Sequence, residues 1–344
     1  MTFGAVERYR NTKAWDWARR SWVGDFVRAA RIGRRNFVKA AKTCPYELWS
    51  WVRSENLTLP SARQLAQALA AMRTSSDDSI EGEIAEAPVF VLSTGWRAGS
   101  TLLQRILVTD PRLLVWGEPL GEMMMVSRIA EMLSDSLSPR DLDLWYKQDG
   151  VPLSSLPTSW IAALSPPAND LRSALRLLFC QWLAEPARRQ GFTRWGLKEV
   201  RLGATEATLL HWLFPRARFV ILSRHPYDCY QSFADSGWEY LYYRHPEVRI
   251  DTIAAFARHW NRLALDWSQL PAGFPGFRIK YEDLINGKVD FRRLEAWLGI
   301  EIHEERALST SVGGTARRSR LSWFERLIIG REAAAGMSAL GYSK

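Results

Sequence analysis

From Pro88 onward, short apolar runs alternate with stretches whose apolar residues recur every three or four positions. Residues 89–92 form the first run, closed by Ser93-Thr94-Gly95 and followed by a helical pattern through Leu102, Leu103, Ile106 and Leu107. Leu113–Trp116 is a second candidate strand. Residues 120–190 read as a mostly helical insertion, interrupted by the proline-rich 152–167. A strand-like segment at 194–197, a helix near 204–213 and a strong β run at 217–222 follow. Helices near 226–236 and 251–269 precede a last strand at 277–280. Strands alternating with helices predict parallel pairing through crossover helices. The expected fold class is α/β, a central parallel sheet flanked by helices, with ligands at the C-terminal ends of the strands.

The segment before Pro88 has a different character. At 14–42, Trp15, Ala18, Trp22, Phe26, Ala29, Gly33, Phe37 and Ala40 make one apolar stripe at helical spacing, and arginines and lysines fill much of the rest. Residues 1–53 carry twelve Lys/Arg against four Asp/Glu, so they hold +8 of the net charge of +9. A short helical patch at 61–72 and an acidic stretch at 74–86 lead into the main domain. The division is therefore a helical N-terminal extension with linker over 1–87 and a second domain over 88–344. A basic amphipathic helix with Trp and Phe on its apolar face suits a membrane surface. The same stripe suits packing on the main domain, pairing of two subunits, or capture of a polyanion. Nucleic acid is not an expected partner, since no recognised nucleic-acid module accompanies the charge.

Composition narrows the class further. With 47% hydrophobic and 24% charged residues, the chain is neither disordered nor fibrous. No run reaches the ~18–20 apolar residues of a membrane span. The three cysteines, Cys44, Cys180 and Cys229, are too few and too scattered for a disulfide framework or a CxxC site. The expectation is a cytoplasmic protein, held at the inner face of the membrane if residues 14–42 meet lipid. Seventeen tryptophans are unusual; indole stacks on sugar rings and also fills cores. Trp238, Tyr240, Tyr242 and Tyr243 are candidates for an acceptor cleft or for packing around a loop.

Two segments carry candidate chemistry. Ser93 to Thr101 lies between a strand and a helix, where glycines and a helix N-terminus form an anion cradle. It departs from the nucleotide triphosphatase pattern G-x-x-x-x-G-K-[ST]: one spacer is missing, no lysine precedes Ser100-Thr101, and the cation, Arg97, lies inside the loop. At the other strong strand, Ser223-Arg224-His225-Pro226 places Arg224 at a strand end, with Pro226 as first helical residue and Ser232 two turns further on. Each charged hydrogen bond to a phosphate is worth ~1.5–3 kcal/mol, so two such anchors dominate the binding of a doubly phosphorylated ligand.

As an ordered pair these segments resemble the two signatures of sulfotransferases that use 3′-phosphoadenosine 5′-phosphosulfate (PAPS). Trp116-Gly117-Glu118-Pro119, Gly196-Leu197-Lys198 and Lys280-Tyr281-Glu282-Asp283-Leu284 add to the resemblance, which covers roughly 88–344. It implies a P-loop-like sulfotransferase core and PAPS as co-substrate, with no metal. By that resemblance Arg97, Ala98, Gly99, Ser100 and Thr101 hold the 5′-phosphosulfate. Arg224 and Ser232 hold the 3′-phosphate, Tyr281 stacks at the adenine, and Arg317 and Arg318 close over the 3′-phosphate from a late flexible segment.

The family splits on its catalytic base, and the Gly-Glu-Pro context here is similar to the tyrosylprotein and bacterial carbohydrate branches, which use a glutamate. Glu118 is then the general base, with Arg97 and Lys198 neutralising the sulfonate and the bridging oxygen, and Glu122 in reserve. A free glutamate has a pKa near ~4.3, so this role expects partial burial. The structural alternative is that Glu118 caps a helix beginning at Pro119. The implied activity is transfer of a sulfonate to an acceptor hydroxyl of a glycan, a lipid or a small molecule, with release of adenosine 3′,5′-bisphosphate. Two other readings stay open: a kinase-type P-loop transferase, and a non-catalytic nucleotide-binding protein docked at membranes.

Overall fold

The structure is a computed structural model that describes residues 62–71, 87–118, 124–136, 153–158, 168–235, 250, 252–271, 273–308 and 321–343. The stripe at 14–42, the acidic stretch at 74–86 and the aromatic run at 238–243 lie outside the described residues.

Five parallel strands form one sheet: β1 (Val89–Ser93), β2 (Leu113–Trp116), β3 (Arg194–Glu199), β4 (Arg218–Ser223) and β5 (Gly276–Lys280), in the spatial order β2-β3-β1-β4-β5. Each strand lies within about two residues of the run that announces it. Such runs are legible because a parallel sheet is covered on both faces, so its strands are apolar at nearly every position. All five residues of β1 are buried. Val89 and Val91 point to one layer of core with the helices Ser100–Leu107 and Ile253–Ser268. Phe90 and Leu92 point to the other, where Phe90 packs at 5.2–6.2 Å from the rings of Trp195, Phe214 and Phe219.

The strand order fixes where a ligand can sit. The chain leaves central β1 for the β2 edge, returns to β3 beside β1, then crosses to β4 on its other side. That reversal opens a crevice above the C-terminal end of β1, the usual ligand position of open parallel sheets. Gly196 makes the β1–β3 approach possible, since a Cβ there would lie 2.3 Å from the Val89 carbonyl oxygen.

The insertion is largely helical where it is described. Met125–Ser136, the 3-10 turn Leu153–Thr158 and Ala168–Phe179 run into a π-helical turn at Cys180–Ala184 and then Glu185–Arg189. The helix Ala62–Ala71, which precedes the acidic stretch, sets Leu65 and Leu69 into the same core layer as Phe90. Three of the tryptophans, Trp195, Trp260 and Trp267, are fully buried. Two of these brace the crevice: Trp267 Nε1 donates to the Ser93 carbonyl at 3.2 Å, and Trp260 Nε1 to the Arg224 carbonyl at 3.1 Å.

Candidate active site

The loop after β1 turns through Gly95 (φ 113°), Arg97 (φ 63°) and Gly99 (φ 92°). Glycine adopts this left-handed region without a Cβ clash. Arg97 is held there against its intrinsic preference, a strain typical of ligand-binding loops. The turn is tied down by Ser93 Oγ donating to the Gly95 carbonyl at 3.0 Å and by Thr94 N–H extending the β4 ladder to Leu222 O at 3.0 Å. Left-handed residues alternating along a turn aim successive N–H groups into a concavity that suits an anion. Gly99 then caps the helix Ser100–Leu107, its carbonyl accepting the Leu102 and Leu103 N–H at 3.0 and 3.2 Å, while the amides ahead of these have no intrahelical acceptor. Ala98 and Ser100 are buried in the loop and Thr101 is exposed.

Gly99 takes the place of the second glycine of the nucleotide triphosphatase pattern. Any Cβ at this position would lie 2.2 Å from the Tyr281 ring. The position therefore requires glycine on steric grounds.

Arg224, at the end of β4, is buried beside this loop. Its Nη1 donates to the Arg97 carbonyl at 2.9 Å, and its guanidinium lies 4.2 Å from the centroid of the Tyr281 ring. Arg97 Nε donates in turn to Ser232 Oγ at 3.1 Å. The two segments singled out in the sequence, more than 120 residues apart, therefore form one contiguous group with Tyr281 as its floor. Tyr281 sits against Gly99 and beneath Arg224. Arg224 Nε is buried without a hydrogen-bond partner, as is Thr94 Oγ1 of the loop. Buried polar atoms are ordinarily paired, so an orphaned donor here fits an incoming anion.

The second group lies on the β2–β3 side. Lys198 Nζ is hydrogen-bonded to Glu118 Oε1, and Arg201 Nη1 stands 3.1 Å from Glu118 Oε2. Glu118 is partly buried, with 21% of its side chain exposed, against 7% for Lys198 and 8% for Arg201. Arg201 also donates to Glu199 Oε1 at 2.9 Å and lies 5.6 Å from the centroid of the Trp96 ring. Glu199 is fully buried. Burial pushes its carboxyl above the usual range; the positive charge of Arg201 works against that shift, while Glu118 adds to it. Trp96 and Arg97 are neighbours in the loop, so the loop joins the two groups.

Glu118 thus directs its carboxylate at two cations; the residues that would form a helix at Pro119, and Glu122 with them, lie outside the described residues. So do Arg317 and Arg318. Sequence reasoning missed Arg201 and Glu199. The available signal was a second cation three residues after Lys198, but its direction depends on the chain turning at 200–203 above the strand end.

A parallel α/β sheet with an anion loop at its switch point, and an acid–cation cluster beside it, defines a P-loop-like group-transfer protein. The family is then specified by comparison: residues 88–304 match the model described as "Sulfotransferase family". The chain belongs to the sulfotransferase family, and its activity is that of a sulfotransferase enzyme. Among solved structures it is similar to the sulfotransferase domain from the Synechococcus PCC 7002 olefin synthase, at 20% identity over 79% of this chain and 93% of that one, with a TM-score of 0.35. It is also similar to the sulfotransferase domain from the curacin biosynthetic pathway, at 17% identity over 75% and 98%, with a TM-score of 0.40. A sulfotransferase from Alicyclobacillus acidocaldarius follows at 15% identity over 75% and 97%, with a TM-score of 0.40. No curated protein matches the chain.

Proposed function

We propose that the protein transfers a sulfonate group from PAPS to an acceptor hydroxyl, with Glu118 as general base. The observation that carries the donor assignment is the junction of Arg97, Ser232 and Arg224 over the Tyr281 ring. Its buried unpaired Arg224 Nε fits a phosphate at the end of β4, while the left-handed turns of the loop fit a second anion at the end of β1. Bound there, PAPS supplies a sulfonate already activated on a phosphate oxygen. Arg224 and Ser232 hold the 3′-phosphate, and the amides and hydroxyls of Gly99, Ser100 and Thr101 hold the 5′-phosphate.

Glu118 takes the acceptor's hydroxyl proton as the acceptor oxygen bonds to sulfur and the sulfur–phosphate oxygen bond breaks. Lys198 and Arg97 stabilise the charge that builds on the sulfonate and the leaving oxygen. Lys198 already donates to Glu118, so one ammonium serves both the base and the transferring group, with Arg201 holding the other carboxylate oxygen. The acceptor is a glycan, a lipid or a small molecule carrying a hydroxyl, and a glycan fits the aromatic content best. The amphipathic make-up of 14–42 supports a cytoplasmic enzyme held at the inner membrane face.

Calorimetric titration with adenosine 3′,5′-bisphosphate, AMP and ATP, without magnesium, tests the donor. The bisphosphate should bind most tightly, and Arg224→Ala should weaken it by about 10–100-fold, as loss of a charged hydrogen bond does. A preference for ATP would overturn the assignment.

A further inference from the structure

The turn that carries Arg224 is framed by a segment far away in sequence. Tyr342, just beyond the last helix Ala334–Ala339, places its hydroxyl 3.0 Å from Ser223 Oγ and donates to Glu282 Oε2 at 3.0 Å. Glu282 Oε1 accepts the His225 N–H at 2.8 Å. Ser223 and His225 are the two residues that flank Arg224, so one tyrosine hydroxyl reaches both sides of it, directly and through one carboxylate.

The same segment is fixed independently of that hydroxyl. His225 Nε2 bonds the Ser343 carbonyl at 2.9 Å, and its ring meets the Tyr342 ring edge-on at 5.3 Å. Lys280 Nζ donates to the Gly341 carbonyl at 3.1 Å and lies 4.6 Å over the Tyr342 ring. Tyr342 N–H closes on the Met337 carbonyl at 2.8 Å, after Gly341 at φ 67°. Burial pushes the phenol above its usual range, so it remains a donor at every pH of interest. Behind the turn, Trp260 and Cys229 both bond the Arg224 carbonyl. The backbone of Arg224 is therefore held from three directions, and its side-chain Nε is buried without a hydrogen-bond partner.

We infer that Tyr342, acting through Ser223 and Glu282, is a positioning residue for the 3′-phosphate subsite: it holds the 223–225 turn so that the Arg224 guanidinium meets that phosphate. The inference rests on the donor assignment above, and it makes the segment 340–343 a part of the donor site that touches no ligand. Tyr342→Phe keeps the ring and removes the hydroxyl, leaving the packing against His225 and Lys280 in place. Its effect should fall chiefly on the 3′-phosphate, because the loop after β1, though Arg224 touches it at the Arg97 carbonyl, is also braced through Ser93 and Trp267.

The test is calorimetry of the full chain with adenosine 3′,5′-bisphosphate and with AMP, which differs only by that phosphate. Wild-type protein should prefer the bisphosphate. Tyr342→Phe should lose about tenfold in bisphosphate affinity, the scale of one hydrogen bond to a charged group, with AMP within twofold of wild type. Glu282→Gln, which removes one carboxylate acceptor, should also weaken the bisphosphate and spare AMP, and the double variant should lose less than the sum of the two single losses because both cut the Tyr342–Glu282 link. An equal fall for the two nucleotides, or no fall for either, overturns the positioning role. A wild-type protein without preference for the bisphosphate overturns the donor assignment and the positioning role together. An undiminished preference in both variants overturns only the latter.

Discussion

Glu118 shows how a side chain's role is decided by what it faces. One of its oxygens is engaged by Lys198 and the other faces Arg201, which is itself fixed by the buried Glu199 and the Trp96 ring. If Lys198 attends the transferring sulfonate, Arg201 is the cation that keeps the base in place. Arg201→Ala should therefore lower kcat by about 100-fold, the cost of a slightly misplaced reacting group, with adenosine 3′,5′-bisphosphate affinity unchanged. Turnover is read as bisphosphate release from PAPS with the best of a panel of sugar, phenol and fatty-alcohol acceptors. Arg201→Lys should recover part of the loss, since it restores charge but not the forked geometry. Glu118→Gln should abolish turnover while the bisphosphate still binds. Glu118, Lys198, Arg97, Arg224 and Ser232 could be singled out in the sequence because each falls in a motif at a strand end. Arg201 and Tyr342 could not, because the contacts with Glu118, Glu282 and Ser223 that give them a role are each with a residue 60 or more positions away in the chain.

At the level of elements, glycines set how closely strands and loop approach each other. Gly196 has no room for a Cβ beside the Val89 carbonyl, and Gly99 has none beside Tyr281. Gly196→Ala should destabilise the protein by about 1–3 kcal/mol, as overpacking of a filled site does, and thermal unfolding would measure it. The helices that begin on a capping side chain do so where sequence chemistry asks for it. Thr252 accepts from Ala255 N–H at 2.9 Å, Asp290 from Arg293 N–H at 3.0 Å, and Ser322 with Glu325 forms a capping box. Strand positions were legible to within about two residues, since apolar runs between turn residues mark them directly. The π-helical turn at Cys180–Ala184 was not, because it is a one-residue slip inside a helical pattern whose periodicity barely changes.

Across the whole molecule, two carboxyls give stability opposite dependences on pH. Burial raises Asp266 to about 6, with Arg262 opposing and Glu206 adding. The folded state thus keeps its proton after the unfolded chain has lost it, and this contribution is present at low pH and lost as pH rises from about 4 to 6. Asp266→Asn should gain in Tm relative to wild type between pH 4 and pH 7. For Asp110, burial acts upward but is outweighed by the Arg112 side chain and the backbone N–H groups of Glu301 and Arg112, which hold it at about 2. Its contribution is present above about pH 4 and lost as pH falls toward 2. The Tm deficit of Asp110→Asn should therefore shrink with acidification. No helix among the described residues is long and apolar enough to cross a membrane. Trp22→Ser/Phe26→Ser in the full chain should reduce sedimentation with anionic phospholipid vesicles if 14–42 lies on lipid; unchanged partitioning would sink that idea.

The sequence by itself determined the element order, the parallel class of the sheet and the local chemistry of each strand end. These depend on apolar runs, turn residues and short motifs that act within about ten positions of one another. Only the tertiary structure decided which strand ends meet. The order β2-β3-β1-β4-β5 brings Glu118, Lys198, Arg97 and Arg224 together at the C-terminal ends of the strands, with Tyr281 from the motif after β5, and it adds Arg201 and Tyr342 from segments that carry no signature of their own. The reason is physical: a strand's apolar run says that both its faces must be covered, while its neighbours are chosen by packing among all the covered faces at once.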